Sequence, residues 1–407
     1  MRGVTFTTQG ALGKSSLREA NERLVLLTLL RQPGLSRLGL AGATGLSPAA
    51  ITNITDRLTE QGFLAEGQKL SPAQGLPGRP RAPLLLRADA RLAIGVAIGP
   101  PAATVALADL NGAVLASREI PARAAAEPAP FLAQIHGAIR ELAAEGGDKL
   151  LGVAVSIPGN LDPATGLLRH ATNLHWHDLD VRAALQGDLK LPFFCDNNSD
   201  LAAFAERWFR PGDALDNFVF VTLRVGIGAG IILNGQLVRG ARNCAGEFGH
   251  VTLVPGGRQC VCGQRGCWEE YASDRALVRR YREYGGDGRM DSLGVVRQSR
   301  RGETAAQRAL DETAESLALG LCPLILGLNP SAIALDDWGA AAWDLIEKLV
   351  WQVIRRRVPE AWREGVAIFP SSHAVDSSLA GAIALVVSRF FTSFAPDGAG
   401  ETIRLRV

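Results

Sequence analysis

The sequence predicts an α/β chain in which a small, basic, helical head precedes a large body built twice over. Three observations carry this expectation. Two short capped helices joined at a glycine lie near the N-terminus, apolar strands and helices alternate from Leu92 onward, and the order strand, tight turn, strand, helix starts again near residue 217.

Length and composition set the bounds. A chain of 407 residues exceeds the size to which one hydrophobic core grows, so two or three domains are expected. No apolar run approaches the roughly 18 residues of a membrane span, and no apolar segment follows Arg2, so neither a transmembrane helix nor a secretory leader is expected. The cytoplasm is then the expected compartment, and six cysteines read as thiols or metal ligands. Residues 1–90 carry 11 Lys/Arg against 6 Asp/Glu, about +5, which leaves about −3 for the remainder. That asymmetry favours a polyanionic partner for the head.

In the head, residues 17–31 carry apolar side chains at helical spacing. After Pro33-Gly34, Ser36 caps a helix ending near Gly45, and Ser47-Pro48 starts another, with proline at the first helical position. Two short helices across a tight glycine turn predict a helix-turn-helix. In the second, Ile51, Ile54 and Leu58 form the inward stripe, which leaves Ala49, Ala50, Thr52, Asn53, Asp56 and Arg57 outside. Small residues let such a helix sink into a major groove; Ser47 caps it, Asn53 can pair with an adenine edge and Arg57 can hold a phosphate. A helical hairpin used for protein contacts has the same pattern. "GFLAEGQKL" suits the first strand of a wing, and Arg79, in the extended Gly78-Arg79-Pro80, suits a narrow minor groove, although a stiff linker has the same composition.

The body reads as "LAIGVAIG", then "ATVALADLNGAVLASREI" with Asn111-Gly112 as a hairpin turn, a helix from Pro130, and the strand "LLGVAVSIPG". "NFVFVTLRVGIGAGIILNGQLVRG" repeats the plan with Asn234-Gly235, and long helices are expected at about 303–328 and 340–357. A duplicated fold of this kind holds ligands in the cleft between its halves, at strand ends.

The sharpest chemical signal is "GEFGHVTLVPGGRQCVCGQRGCWEE". His250, Cys260, Cys262 and Cys267 supply three thiolates and an imidazole for a structural, tetrahedral zinc site, and the intervening glycines allow the tight backbone that aims three sulfurs at one ion. Cys195, Cys244 and Cys322 read as small core residues. The polar knot "CDNNSD" at the end of a strand marks a ligand-contacting edge. His170, His175 and His177 fit either a ligand or a solvated loop, and Trp176 and Trp268 either a sugar face or packing.

These motifs, with "SIPGNLDPATG" and "TNLHWHD" ahead of them in the chain, resemble the ROK family of repressors, open reading frames and kinases, and the head looks like the winged helix of its repressor branch. The resemblance covers the chain from about residue 15. It implies a body with the actin-like ATPase (ribonuclease H-like) sugar-kinase fold of two lobes, and a sugar in the interdomain cleft contacted by Asn197, Asn198, Glu247, His250 and Glu269. Glu247 and Glu269 suit equally the bracing of the zinc loop.

The chain also departs from the family's kinases, which carry an aspartate base where Asn198 stands; an amide cannot accept the proton of a substrate hydroxyl. The first phosphate turn, Asp-x-Gly-Gly-Thr in those enzymes, corresponds here to Ala97–Pro101, and the second, Gly-Thr-Gly, to Arg224-Val225-Gly226. Asp336-Asp337 stands where a Gly-Gly would meet adenosine. The expectation is a sugar-responsive transcriptional regulator, a repressor without kinase activity, partnered by operator DNA and a sugar effector and acting as a homodimer or tetramer. An active kinase with an added head and a constitutive DNA binder are the alternatives. Its expected organisation is a flexible tail at 1–14, a winged helix-turn-helix at 15–74, a linker at 75–90 and a kinase-like domain at 91–407. The first lobe of that domain spans about 91–200 plus the C-terminal helix, the second about 201–380.

Overall fold

The computed structural model describes residues 5–7, 14–67, 82–122, 127–210, 215–372, 376–392 and 404–406. The head is a helix, Lys14–Arg31, followed by the pair Arg37–Thr44 and Pro48–Glu60. Ser36 Oγ accepts from the Gly39 amide at 3.3 Å and Ser47 Oγ from the Ala50 amide at 3.2 Å, satisfying amides that the first turn leaves unpaired. Gly45 closes the first of the pair in the left-handed conformation, φ 72°. Ile51, Ile54 and Leu58 are buried, as their spacing predicts.

Leu64–Glu66 pairs antiparallel with Leu84–Leu86 and makes the wing. The returning strand thus comes from the stretch read as linker, because it lies well beyond its partner in sequence and carries no local signature. Arg79 lies outside the described residues.

The body contains two five-stranded mixed sheets of one topology. In the first, Leu92–Ile98 pairs antiparallel with Ala102–Asp109, which pairs with Val114–Pro121, and on its other side lie Leu150–Ile157 and Phe193–Asn197, both parallel. In the second, Phe218–Leu223 takes the central place, with Ile227–Leu233 and Gln236–Leu237 antiparallel on one side and Ala332–Leu335 and Ala367–Pro370 parallel on the other. Every residue of Leu92–Ile98 is buried, as a central strand covered on both faces requires. Asn234 and Gly235 both take positive φ, 52° and 72°, the turn that the twist of a hairpin favours.

Helix Asn198–Phe209 stands between the sheets, touching the second sheet on one side and the C-terminal helix Ser377–Thr392 on the other. The C-terminal helix lies on the first sheet, and its core is continuous with that of the head: Val25, Leu40, Ile51 and Leu84 share one apolar cluster with Ala93, Leu379, Ile383 and Phe391. No described helix is long and apolar enough to cross a membrane.

Candidate effector cleft, metal cluster and DNA-binding face

A cleft of about 550 Å³ opens between the lobes, at the carboxyl ends of the central strands. Its lining includes Asn197, Asn198, Glu247, His250 and Glu269, so all five residues expected to meet a sugar come to one cavity. They reach it from different elements. Asn197 ends a strand of the first sheet, and its side chain is engaged in holding the backbone: Oδ1 accepts from the amides of Ser199 at 2.8 Å and Asp200 at 3.3 Å, and Nδ2 donates to Gly159 O at 2.9 Å. Asn198, the first residue of the helix, makes no side-chain hydrogen bond to the described residues. Its amide is available to a ligand.

Glu269 is buried, with Oε2 3.4 Å from the Ile227 amide and Oε1 accepting from Cys260 Sγ at 2.9 Å. Gly226 makes room for it, since a Cβ there would stand 2.6 Å from Glu269 Oε2. The carboxylate therefore spans the interval between cleft and cysteine cluster. His250 does the same from the other side: Nδ1 lies 3.7 Å from Cys260 Sγ, while Nε2 faces the exposed Glu247 at 3.8 Å.

His250, Cys260, Cys262 and Cys267 place their ligand atoms within 4.8 Å of one another. Cys262 Sγ and Cys267 Sγ are 3.7 Å apart. A tetrahedral ion with metal–sulfur bonds of about 2.3 Å has S···S edges of about 3.8 Å, so the spacing fits a four-coordinate metal. Burial, and then the contact with Glu269, push the Cys260 thiol up, so a bound cation is what would make that sulfur a thiolate. Of the remaining cysteines, Cys195 and Cys322 are core residues as expected, but Cys244 is exposed, its sulfur 2.9 Å from Asn160 Nδ2. It sits on the open loop before the Gly-Glu-Phe-Gly-His motif, where small size alone does not bury a side chain.

Two charge clusters were not legible in the sequence. Arg239 grips Asp196 with both terminal nitrogens, at 2.6 and 2.5 Å, and reaches Asp200 at 3.3 Å. Asp200 lines the cleft, and burial first, then the neighbouring Asp196, raise its carboxyl to about 8 against the opposing effect of Arg239. Arg224, which also lines the cleft, meets Asp376 at 2.6 Å, Asp337 at 3.0 Å and Asp336 at 3.4 Å. Burial with Asp336 alongside raises Asp337, whereas Arg224 holds Asp376 below the usual carboxylate range despite its burial. Gly99, Pro100 and Pro101 line the same cleft.

Other expectations resolve simply. His170 and His177 pair through their Nδ1 atoms at 3.0 Å on an exposed hairpin, and neither they nor His175 line the cleft. Trp176 and Trp268 are buried in packing, the latter donating to Ser316 O at 2.9 Å.

On the head, Ala49, Thr52 and Asn53 are exposed and Ala50 is half-buried, with Ser47 capping. Thr52 turns its hydroxyl back to Pro48 O at 3.0 Å, leaving Asn53 as the side chain free to reach outward. Arg57 departs from its expected place: it folds against Glu22 of the first helix as a half-buried ion pair. Arg37, which the sequence reading passed over, ties the motif together through Asp56 at 2.8 Å, Glu66 of the wing at 2.6 Å and Thr55 at 3.0 Å.

Comparison with known proteins agrees with this geometry. The ROK family model matches residues 93–389 and a winged helix-turn-helix DNA-binding model matches residues 18–65. The chain belongs to the ROK family. Among curated relatives it is 26% identical to the xylose repressor of Caldicellulosiruptor bescii over 389 residues, 91% of this chain and 96% of that one. Among solved structures, a ROK family transcriptional regulator homologous to the E. coli MLC protein superposes with a TM-score of 0.74 at 24% identity, covering 92% of this chain and 97% of that one. A ROK glucokinase from Streptomyces griseus, solved with glucose and AMPPNP, gives 0.65 at 28% identity over 72% of this chain and 98% of its own.

Proposed function

We propose that this chain is a sugar-responsive, DNA-binding transcriptional repressor whose kinase-like body recognises a sugar without phosphorylating it. The observation that carries this reading is the lining of the cleft. It offers Asn198, Glu247, His250 and Glu269 to vicinal hydroxyls, and Arg224, which also lines it, is already bound to three aspartates. A guanidinium already neutralised by carboxylates has little to offer a triphosphate, and the carboxylates around it repel one. With Asn198 in the place of a base, this reading takes the cleft to be without the parts that phosphoryl transfer uses.

His250, Cys260, Cys262 and Cys267 would hold a structural zinc ion, which fixes the loop carrying Glu247 and Glu269. Because His250 has one nitrogen toward the cysteines and one toward the cleft, metal and sugar would share a residue. A sugar that prefers one lobe arrangement biases the spacing of two heads in a homodimer or tetramer, which must match half-sites about one DNA turn or a multiple apart. A coupling of roughly 1–3 kcal/mol between sugar and operator suffices. The same reading takes the cytoplasm as the working compartment.

The test is titration of the protein bound to its own promoter fragment with pentoses, hexoses and their phosphates, followed by fluorescence anisotropy. Release by one sugar, with no sugar-dependent ADP formation from ATP, is the expected outcome. Steady sugar-dependent ADP formation overturns it.

A further inference from the structure

We infer that the helix Ser377–Thr392 is a rod linking the cleft to the DNA-binding head, latched at its cleft end by Arg224. The inference rests on the reading of the chain as a regulator and says how its two working parts are joined. At sixteen residues the helix spans about 24 Å.

Its cleft end is tied to the second lobe. Asp376 caps the helix with Oδ1, accepting from the amides of Ser378 at 2.8 Å and Leu379 at 3.2 Å, while its Oδ2 accepts from Arg224. Arg224 follows the central strand of the second sheet. Ser377 Oγ donates to Asp336 at the end of the adjacent parallel strand. These two contacts thus converge on the first turn of one helix.

Its far end is tied to the head. Phe390 stacks on Phe63, which leads into the wing, with ring centres 5.9 Å apart. Phe391 packs against Trp208 at 6.2 Å, and the Trp208 carbonyl accepts from Arg31, the last residue of the first helix of the head, at 2.6 Å. Between its ends the rod is seated without slack, since a Cβ on Gly381 would fall 2.0 Å from Leu201 O. A close-packed element held this tightly shifts as a unit when one end is displaced. A change of lobe angle that moves Arg224 therefore pulls on the head through Phe390 and Phe391.

The measurement is hydrogen–deuterium exchange on the full chain without sugar or DNA, comparing wild type with Arg224→Gln, Asp376→Asn and the double variant. We expect exchange at least threefold faster both in 376–384 and in the head segments 24–32 and 58–67. The helix Pro128–Gly146, which packs on the outer strands of the first sheet, should be unchanged. The double variant should add nothing in the head beyond either single one, because both remove the same latch. Acceleration confined to the cleft end overturns the inference, and so does equal acceleration throughout, including 128–146. If Arg224→Gln does not fold, Asp376→Asn, which leaves the arginine paired with two aspartates, carries the comparison alone. No sugar enters this measurement, so failure of sugar recognition and failure of the rod show up separately.

Discussion

Beside the cleft the candidate metal ligands come from a single short stretch, His250 to Cys267, whereas Arg224, which lines the cleft, meets carboxylates that lie 112 to 152 positions away. The two clusters therefore owe their geometry to different things. The cysteine cluster is set by local loops and would be fixed further by an ion, while the arginine cluster exists only when two strands of the second lobe and a helix on the first lobe are correctly docked. One cluster reports on a loop, the other on the arrangement of the whole body.

The largest expected effect falls at the cysteine cluster. Cys267→Ala removes one of four candidate ligands from the buried side of the cluster, and loss of a structural metal would belong among the most damaging single changes, on the order of 4 kcal/mol. Elemental analysis should find zinc in the wild type and not in the variant, and urea unfolding followed by tryptophan fluorescence should give the stability loss. An unchanged unfolding midpoint would mean that the cluster fixes nothing.

Next comes Arg224→Ala, which strands Asp336, Asp337 and Asp376 in a partly buried site without their shared cation. Breaking such a pair from one side costs about 3 kcal/mol. Adding Asp337→Asn and Asp376→Asn should recover part of that loss, since the uncompensated charges go with them. If the triple variant is no more stable in urea than Arg224→Ala, the arginine cluster is not held by charge compensation and the contrast between the two clusters weakens.

The same contrast explains what the sequence could and could not disclose. The helix pair of the head, both hairpin turns, the repeated sheet and the cysteine cluster were legible because each is written in residues within about one element of each other: caps, glycines, alternating apolar side chains, ligand spacing. The return strand of the wing, Leu84–Leu86, was read as linker because its partner is distant in sequence. Arg224 was recognisable as a bulky intruder in a glycine turn, yet Asp376 had no local mark, and neither did the grip of Arg239 on Asp196 and Asp200. Cys244 was misjudged by size, since exposure depends on which loop the residue occupies.

Asp200 lies between the two extremes, on a locally legible helix but governed by a distant arginine. A carboxyl that keeps its proton up to about 8 when folded, and loses it near 3.9 when unfolded, binds more protons in the folded state. Its stabilising contribution is therefore full at low pH and declines as pH rises toward 8. Asp200→Asn, uncharged throughout, should flatten that slope. Urea midpoints at about pH 5, 6.5 and 8, spanning the titration window, should converge in the variant and fall in the wild type. Equal slopes would show that Arg239 keeps Asp200 ionised.

The smallest effects belong to the head, where local and distant information again part company within one helix. Asn53 projects from the exposed face that its spacing predicts, and Asn53→Ala should lower operator affinity by about 2 kcal/mol while leaving stability unchanged. Arg57, one turn further on, is claimed by Glu22 from another helix. A half-buried ion pair of this kind contributes about 1 kcal/mol or less, so Arg57→Ala should lower stability by that amount. Because its guanidinium is spent on Glu22, the slope of log affinity against log salt should not change. A slope shallower by about one unit would instead assign Arg57 to a phosphate, and would mean that the ion pair with Glu22 opens when DNA arrives.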